Sequence, residues 1–285
     1  MYGSLAAAPA GAVSNCHVTG NVRGGTNGVM FAGGLIGWSG RVAISRCTFE
    51  GDVEGTSGVG GLIGRGYRTT VHQCYAKADV NHIGPGFSAG GLIGNTYNTC
   101  TISQSFATGS VGGVAGSIGG LVGDVRDTSI TNSFSRSAVS GVTTQQGGLV
   151  GLLRADGLVD RSYSTGAMTA GFWVGGLVGN NLGVGNVTLS FWDTESSGIV
   201  ASAGGTGQTT AQMQTEATFT AVAWDFVTIW GMCAPPTYSI SYPYLLWSPL
   251  CDLVYAARFR PEDLWCKDLV NPADVLPPVY YSAVK

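Results

Sequence analysis

The sequence predicts an all-β fold, a right-handed parallel β-helix (β-solenoid) of about seven coils with an irregular, aromatic-rich C-terminal cap. The first observation behind this prediction is a pentapeptide, Gly-Gly-Leu-Ile/Val-Gly, that recurs six times at steps of 27, 30, 29, 28 and 28 residues. A fixed period of this length is typical of repeat architectures, in which each copy buries its apolar face only by stacking on its neighbours. The pentapeptides begin at Gly33, Gly60, Gly90, Gly119, Gly147 and Gly175.

A second repeated position follows each pentapeptide start by 14 or 15 residues and supports the same period. It holds Cys in the early copies and Ser in the later ones, namely Cys16, Cys47, Cys74, Ser105, Ser133, Ser162 and Ser190. A β-branched residue usually lies three positions earlier and an aromatic residue follows at once, as Ile102 and Phe106 do around Ser105. Short Val, Ile, Phe and Tyr segments between Gly, Asn, Ser and Thr turns favour three short strands in each coil of about 28 residues.

The direction of this Cys/Ser side chain is not determined by the sequence. In a straight strand Ile102 and Phe106 would face the core and Ser105 would face away from it, unless the strand bends between them. A small side chain in a tight stacked site is the simplest explanation of the three cysteines. A metal site formed by them with His72 has no paired Cys-x-x-Cys spacing to support it.

The composition excludes several classes of protein. Of the 285 residues 46 are Gly, 44% are hydrophobic and 11% are charged, a mixture too apolar for disorder. The formal net charge of -3 provides no basic field for nucleic acid. No apolar run reaches the roughly 18 residues that a membrane-spanning helix needs. The three histidines lie in no recognisable catalytic arrangement, so we predict no catalytic residues, no metal and no cofactor.

Repeats of this kind resemble those of the GLUG-repeat proteins, which combine Gly-Gly-Leu-Val-Gly, Ile-x-x-Ser-Tyr and Ser/Ala-Thr-Gly-x-Val. The stretches 90–111 and 147–168 are very similar to that pattern, and 190–226 resembles the segment that closes such arrays. The resemblance covers about residues 12–247. It implies a secreted or cell-surface bacterial or archaeal protein, adhesin-like and built as a β-solenoid. Family repeats also occur beside metallopeptidase domains, but this chain has no His-Glu-x-x-His.

Four regions are predicted along the chain. Residues 1–11 form an N-terminal lead-in, 12–198 the solenoid, 199–247 the C-terminal cap, and 248–285 a tail that packs on the cap or contacts a partner. A solenoid needs a non-repeating lid on its last coil, and the aromatic-rich segment 219–247 is the natural candidate. Residues 1–11 lack the basic and apolar regions of a signal peptide, so we expect either that a leader has been removed or that the chain is a piece of a longer one. The first repeat lacks its pentapeptide, which supports the second expectation.

Candidate ligand-binding residues lie where a turn is expected after each pentapeptide. Aromatic, cationic and amide side chains occur there in the early copies and carboxylates in the later ones; the set is Trp38, Arg41, Arg68, Tyr97, Asn98, Asp124, Asp127 and Asp156. Exposed aromatics on a polar edge point to a sugar or protein ligand, although they also fit a cover over the core. The carboxylates alternate with arginines, which favours a salt-bridged surface over a pair of glycosidic acids.

Candidates for assembly occur at both ends of the chain. Cys16, Val18 and Val22 lie on a first coil whose edge another subunit could cover, and Tyr255, Phe259 and Trp265 lie in the tail. For the cap and tail we expect one disulfide among Cys233, Cys251 and Cys266; a bridge closing the loop from 251 to 266 would contribute about 3 kcal/mol.

The leading functional hypothesis is a non-enzymatic extracellular or cell-surface scaffold, either adhesive or self-assembling into an appendage or filament. Its partners would be further copies of the chain or a surface glycan or protein. The alternative is a β-helix protein that binds or cleaves polysaccharide along the polar turn edge.

Overall fold

The structure is a computed structural model that describes residues 11–25, 31–84, 86–141, 145–154, 156–169, 171–183, 185–232 and 241–248. The chain divides into two compact units, Met1–Trp247 and Ser248–Lys285, and the description below concerns the first. The described residues of this unit form a parallel β-solenoid of about six turns. The predicted fold class is therefore confirmed, with about one turn fewer than the seven expected.

The strands of the coils are short and follow one another with few intervening residues. They are β1 Gly11–Ser14, β2 His17–Thr19, β3 Val22–Arg23, β4 Ala32–Gly33, β5 Ile36–Gly40, β6 Val42–Ser45, β7 Thr48–Gly55, β8 Gly58–Gly60, β9 Ile63–Tyr67, β10 Thr70–His72, β11 Tyr75–His82, β12 Ser88–Gly90, β13 Ile93–Tyr97, β14 Cys100–Ser103, β15 Phe106–Gly113, β16 Ser117–Gly119, β17 Val122–Val125, β18 Thr128–Thr131, β19 Phe134–Ser135, β20 Ala138–Val139, β21 Gln145–Gly147, β22 Val150–Arg154, β23 Leu158–Asp160, β24 Tyr163–Ser164, β25 Trp173–Gly175, β26 Val178–Leu182, β27 Asn186–Thr188 and β28 Phe191–Asp193.

Three short helices and three further strands follow the last coil. They are α1 Thr194–Ser197, β29 Thr206–Gln208, α2 Thr210–Met213, α3 Glu216–Thr220, β30 Trp230–Gly231 and β31 Tyr244–Leu245.

Four parallel sheets run along the solenoid, and each coil passes through them in the order C, D, A, B. Sheet A is β1-β6-β10-β14-β18-β23-β27, and sheet B is β2-β7-β11-β15-β19-β24-β28-β29 with β3 and β20 beside this path. Sheet C is β25-β21-β16-β12-β8-β4, and sheet D is β26-β22-β17-β13-β9-β5. Equivalent residues lie above one another: on sheet A, Ile44 pairs with Val71 and Val71 with Ile102. The Leu62 N–H donates to the Leu92 carbonyl at 2.9 Å, which confirms that like side chains stack.

The glycines of the pentapeptide allow sheets C and D to meet at a tight corner. A Cβ on Gly119 would lie 1.9 Å from the Val122 carbonyl oxygen, and a Cβ on Gly120 would lie 2.3 Å from the Ser135 hydroxyl. Neither position has room for a side chain, so only glycine fits both. Leu121 between this corner and the core is completely buried. In all six pentapeptides a Cβ on the first glycine would lie 1.8 to 2.3 Å from the carbonyl oxygen three residues later, which is why the pentapeptide recurs.

The Cys/Ser position faces the interior because the chain bends immediately before it. Gln104 has a φ of 46°, and its equivalents in the other coils also lie in the left-handed region. This bend answers the question that the sequence left open, and Ile102 and Ser105 are both fully buried. The Ser105 hydroxyl accepts the Cys74 N–H at 3.1 Å and donates to the Ser103 carbonyl at 2.8 Å. The small polar side chain therefore satisfies backbone groups at the corner.

The aromatic column after this position does not belong to the solenoid interior. Tyr75, Phe106, Phe134 and Tyr163 stack in successive coils with ring centroids 4.8 to 4.9 Å apart. The core contains their neighbours on the opposite face of sheet B, such as Ala107. Of the two arrangements that the sequence left open, the bent strand is therefore the observed one: Ile102 faces the core and Phe106 faces away from it, because the bend shifts the alternation of side chains by one residue.

The described residues after 198 pack on two parts of the solenoid, the last coil and the outer face of sheet B. Residues 199–213 close the last coil: β29 pairs with β28, and the Ala203 N–H donates to the Val178 carbonyl at 2.9 Å. The following segment, here called the strap (216–232 and 241–247), lies along sheet B over the aromatic column. The ring centroids of Trp230 and Tyr163 are 5.9 Å apart, and those of Trp247 and Phe106 are 6.0 Å apart. The aromatic segment expected as an end lid therefore covers a side of the solenoid.

A candidate recognition face on sheet D

The outward face of sheet D places the sequence-predicted aromatic residues together. Each strand of this sheet begins at the fourth residue of a pentapeptide, and along it the side chains alternate between the core and solvent. Trp38 lies beside Arg65, and Arg65 beside Asn95, in one outward column; Tyr67 pairs with Tyr97 in the next. The inward residues between these columns, including Ser39 and Thr96, are buried.

Six residues form what we call the aromatic–arginine face: Phe31, Trp38, Arg65, Tyr67, Tyr97 and Arg126. Five of them, all except Arg126, line an open pocket of about 510 Å³. The Tyr67 and Tyr97 rings stack with centroids 6.3 Å apart and an interplanar angle of 21°. Trp38 is 60% exposed, which is unusual for so large an apolar ring.

Guanidinium groups lie over the rings of this face. The Arg65 guanidinium carbon is 5.0 Å from the Phe31 ring centroid and 5.5 Å from that of Tyr97, and that of Arg126 is 4.8 Å from Tyr97. These distances are those of cation–π contacts, which hold the cations in place. The ion pairs among the described residues are Arg154 with Asp124 and Arg161 with Asp160, so neither Arg65 nor Arg126 is neutralised by a described carboxylate.

The candidate carboxylate on sheet D, Asp124, is held by a neighbouring arginine. Asp124 accepts two hydrogen bonds from the Arg154 guanidinium, at 2.8 and 2.9 Å, in a forked ion pair. These hydrogen bonds raise the pKa of Arg154. Asp160, a carboxylate outside the predicted set, accepts one hydrogen bond from the Arg161 guanidinium and another from the Thr188 hydroxyl at 2.7 Å. The geometry is that of a salt-bridged surface, and neither carboxylate is placed as a proton donor to a ligand.

The remaining candidates from the turn lie at the corner between sheets D and A. They share a left-handed backbone conformation, with φ values of 56°, 50°, 57°, 47° and 63° for Arg41, Arg68, Asn98, Asp127 and Asp156. The structure therefore divides the predicted set: Trp38, Tyr97 and Asp124 lie on strands of sheet D, whereas these five form a corner beside it. Arg68 remains in contact with the face, 5.5 Å from the Tyr67 ring centroid.

Trp38 and Tyr97 belong to the predicted set, whereas the other four members of the face, Arg65, Tyr67, Arg126 and Phe31, do not. Phe31 is the one whose place in the repeat differs from that of the others. It lies before its pentapeptide, whereas the other members follow theirs. The tight corner between sheets C and D brings it beside Arg65 of the next coil. No spacing along the chain signals this contact, because it depends on how two sheets fold together.

The candidates for assembly are partly described. Cys16, Val18 and Val22 are partly buried in the first coil and pack against the core. Among the described strands β1 and β2 each pair with a single neighbour, so they form sheet edges. The other assembly and disulfide candidates, Tyr255, Phe259, Trp265, Cys233, Cys251 and Cys266, lie outside the described residues.

The described thiols are free, and they hydrogen bond to the backbone at the corners. Free cysteines are Cys16, Cys47, Cys74 and Cys100. The Cys47 N–H donates to the Cys74 sulfur at 3.4 Å, as the Cys74 N–H does to Ser105 in the next coil. The hydrogen bond with Cys47, together with burial, raises the pKa of Cys74. Cysteine therefore replaces serine here in the same structural task.

A second, polar groove of about 500 Å³ follows the ends of the long strands of sheet B. Its side chains are bonded to one another: Ser110 donates to Asp79 at 2.6 Å and Asn81 to Glu54 at 3.3 Å. In the described part of the chain, no group of three or more His, Cys, Asp or Glu residues is arranged to hold a metal ion. The described helices are all too short to cross a membrane.

Comparisons with known proteins agree with this architecture. Residues 55–81 match the family described as the GLUG motif. A protein of Evansella cellulosilytica named "Putative Gly-rich membrane protein" is 34% identical over 113 residues, which are 38% of this chain and 12% of that protein. The chain therefore spans only a small part of the length of this relative.

A solved structure shares the fold. It is a Bacteroides ovatus protein described as a "putative immunoglobulin A1 protease", with a TM-score of 0.51 and 18% sequence identity over 83% of this chain and 75% of that one. A likeness at this level of identity concerns the fold alone.

Proposed function

We propose that this β-solenoid, part of which matches the GLUG motif, is a non-enzymatic cell-surface scaffold that adheres to a partner through the aromatic–arginine face. The single observation that carries the proposal is the exposure of Trp38, at 60%, beside partly exposed tyrosines and arginines on one flat sheet. Exposed apolar patches with a polar rim mark binding sites on soluble surfaces. The relative named as a Gly-rich membrane protein supports a location at the surface.

The chemistry of the described residues favours binding over catalysis. Asp124 and Asp160 are occupied by arginine partners, and His82 is 1% exposed with its Nε2 2.8 Å from the Ser57 carbonyl oxygen. Burial lowers the pKa of His82, which therefore stays neutral inside the fold. A general acid or base must be able to reach a substrate, and these groups are engaged elsewhere.

End-to-end assembly is the less favoured form of the scaffold hypothesis. The first coil has open strand edges at β1 and β2. At the other end, residues 199–213 cover the last coil, and the buried Met213 packs there. A head-to-tail stack needs two open ends, so adhesion through a side of the solenoid accounts for more of the structure.

Adhesion can be tested with beads coated with the intact chain, applied to intact bacterial cells, mucin and immobilised surface polysaccharides. We expect Trp38→Ala to reduce retention at least about tenfold, as loss of a central aromatic contact does at interfaces. Trp173→Ala is the matched control, because Trp173 is 57% exposed on sheet C, away from the face. Equal retention of both variants would refute the proposed face.

Two further measurements test the other parts of the proposal. Protease treatment of intact cells that express the protein should remove it if it lies at the surface. Incubation with glycans should leave their chain lengths unchanged. Shortening that is abolished by Asp127→Asn would instead support the polysaccharide-cleaving alternative.

A further inference from the structure

We infer that the ligand of the aromatic–arginine face is an anionic polysaccharide, a chain of sugar rings that carry carboxylate or sulfate groups. This inference rests on the proposed function, because it names the partner of the same face. It depends on three properties of the described residues: exposed ring planes, cations without a carboxylate partner, and a repeat along the solenoid axis.

The ring planes provide the apolar part of such a site. The Trp38 indole lies over Gly40 of the same strand, since a Cβ on Gly40 would be 3.5 to 3.8 Å from carbon atoms of the indole ring. The Trp38 side chain is 60% exposed. Tyr67 and Tyr97 continue the surface in the next two coils. Aromatic rings with a polar tip suit ligands that have an apolar face and a hydroxylated edge, which is the chemistry of a sugar ring.

The arginines provide the charge. Arg65 and Arg126 are held 5.0 and 4.8 Å from ring centroids, an arrangement that leaves guanidinium N–H donors at the edge of the contact. The neighbouring Arg154 differs, because its donors bind Asp124. Positive charge without a described carboxylate partner favours an anionic ligand, and the planar fork of arginine matches a carboxylate or sulfate.

The arrangement along the axis favours a polymer. Trp38, Arg65, Tyr97 and Arg126 belong to four successive coils, and three steps between parallel strands of about 4.8 Å span roughly 14 Å. That distance exceeds a single sugar ring, so one ligand reaching all four residues has several units in line.

The same geometry disfavours an extended peptide. A peptide adds to a sheet at an unpaired strand edge, where it finds free backbone groups. The central strands β9 and β13 of sheet D pair on both sides, so their backbone groups are already bonded within the sheet. The face offers side chains only, and stacking and charge are the interactions that it can make.

The test is isothermal titration of the intact chain with four polymers: polygalacturonate, heparin, neutral dextran and poly-glutamate. We expect saturable binding to polygalacturonate or heparin that weakens with added salt, since the exposed charges are screened. Arg65→Gln, Arg126→Gln and Tyr97→Ala should each weaken it about tenfold or more. Arg23→Gln, which alters an exposed arginine on sheet B, is the matched control and should bind like the parent.

Several outcomes would overturn the inference. Equal binding of dextran would show that charge plays no part, and equal binding of poly-glutamate would indicate an acidic protein partner. If no polymer binds while bead retention still depends on Trp38, the ligand class is wrong and the proposed function stands. If retention is also independent of Trp38, both fail. Unchanged circular dichroism and thermal midpoints would confirm that each variant is folded.

Discussion

Replacing Ser133 by alanine tests the hydrogen-bonded corner on which the stacking of coils depends. The Ser133 hydroxyl is fully buried, accepts the Ser105 N–H at 3.2 Å and donates to the Thr131 carbonyl at 2.9 Å. In the alanine variant the Ser105 N–H loses its partner inside the protein, which costs about 1 to 3 kcal/mol. The Thr131 carbonyl keeps the Gln104 N–H at 3.1 Å, so the second loss is smaller, about 0.5 to 1 kcal/mol.

The expected destabilisation of Ser133→Ala is therefore about 1.5 to 4 kcal/mol. For a large domain it corresponds to a fall in the thermal midpoint of roughly 3 to 16 °C. Urea unfolding followed by far-UV circular dichroism measures it, and Ser133→Cys is the control. The Cys74 sulfur already accepts the equivalent backbone hydrogen bond, from the Cys47 N–H, in its own coil. The cysteine variant should therefore lose less than about 1 kcal/mol. Equal losses for the two variants would refute the role assigned to the hydroxyl.

Three further predictions concern the strap, its attachment and the ion pair. Trp230→Ala removes a fully buried ring of the strap that packs on the aromatic column and should cost about 3 to 5 kcal/mol, with faster proteolysis within 216–232 than in the parent. Burial raises the pKa of Asp193, but hydrogen bonds led by that of Tyr242 outweigh it and lower the pKa below 3.8. The ionised Asp193 carboxylate therefore stabilises the folded state fully above about pH 4, and this stabilisation is lost as the pH falls further. Urea midpoints measured against pH should show the loss, and the Asp193→Asn variant should lack this pH dependence. Asp124→Asn breaks a partly exposed ion pair and should cost at most about 1 kcal/mol in urea unfolding, while bead retention stays unchanged; a large fall in retention would contradict the structural role of Asp124.

The sequence predicted the coil because each repeat imposes the same local constraint. Gly119 and Gly120 have no room for a Cβ, and the period of such sites fixes the length of the coil. It also predicted the stacking of Leu62 on Leu92, since copies of one unit bury their apolar faces only against each other.

The direction of individual side chains was less predictable. A single left-handed residue such as Gln104 exchanges the inward and outward positions of everything after it, and left-handed residues other than glycine carry no strong sequence signal. The sequence consequently left open whether Ser105 or Phe106 faces the core. Phe49 follows Cys47 by two residues, whereas Phe106 follows Ser105 by one, and Phe49 accordingly lies in the core.

The candidate face was predicted in part. Trp38 and Tyr97 were identified because both follow a pentapeptide, close to the expected turn. The sequence could not indicate that Arg65 lies over the Phe31 ring or that Arg126 is without a described carboxylate partner, while Arg154 has one. These facts depend on which side chains of successive coils and adjoining sheets come together.

By itself, the sequence determined a stack of parallel coils with glycine corners, because that architecture follows from a constraint repeated in every unit. The tertiary structure alone decided that the C-terminal aromatics cover sheet B and that the outward face of sheet D remains exposed. Such choices come from contacts between residues far apart, as between Phe106 and Trp247, and no local pattern encodes them.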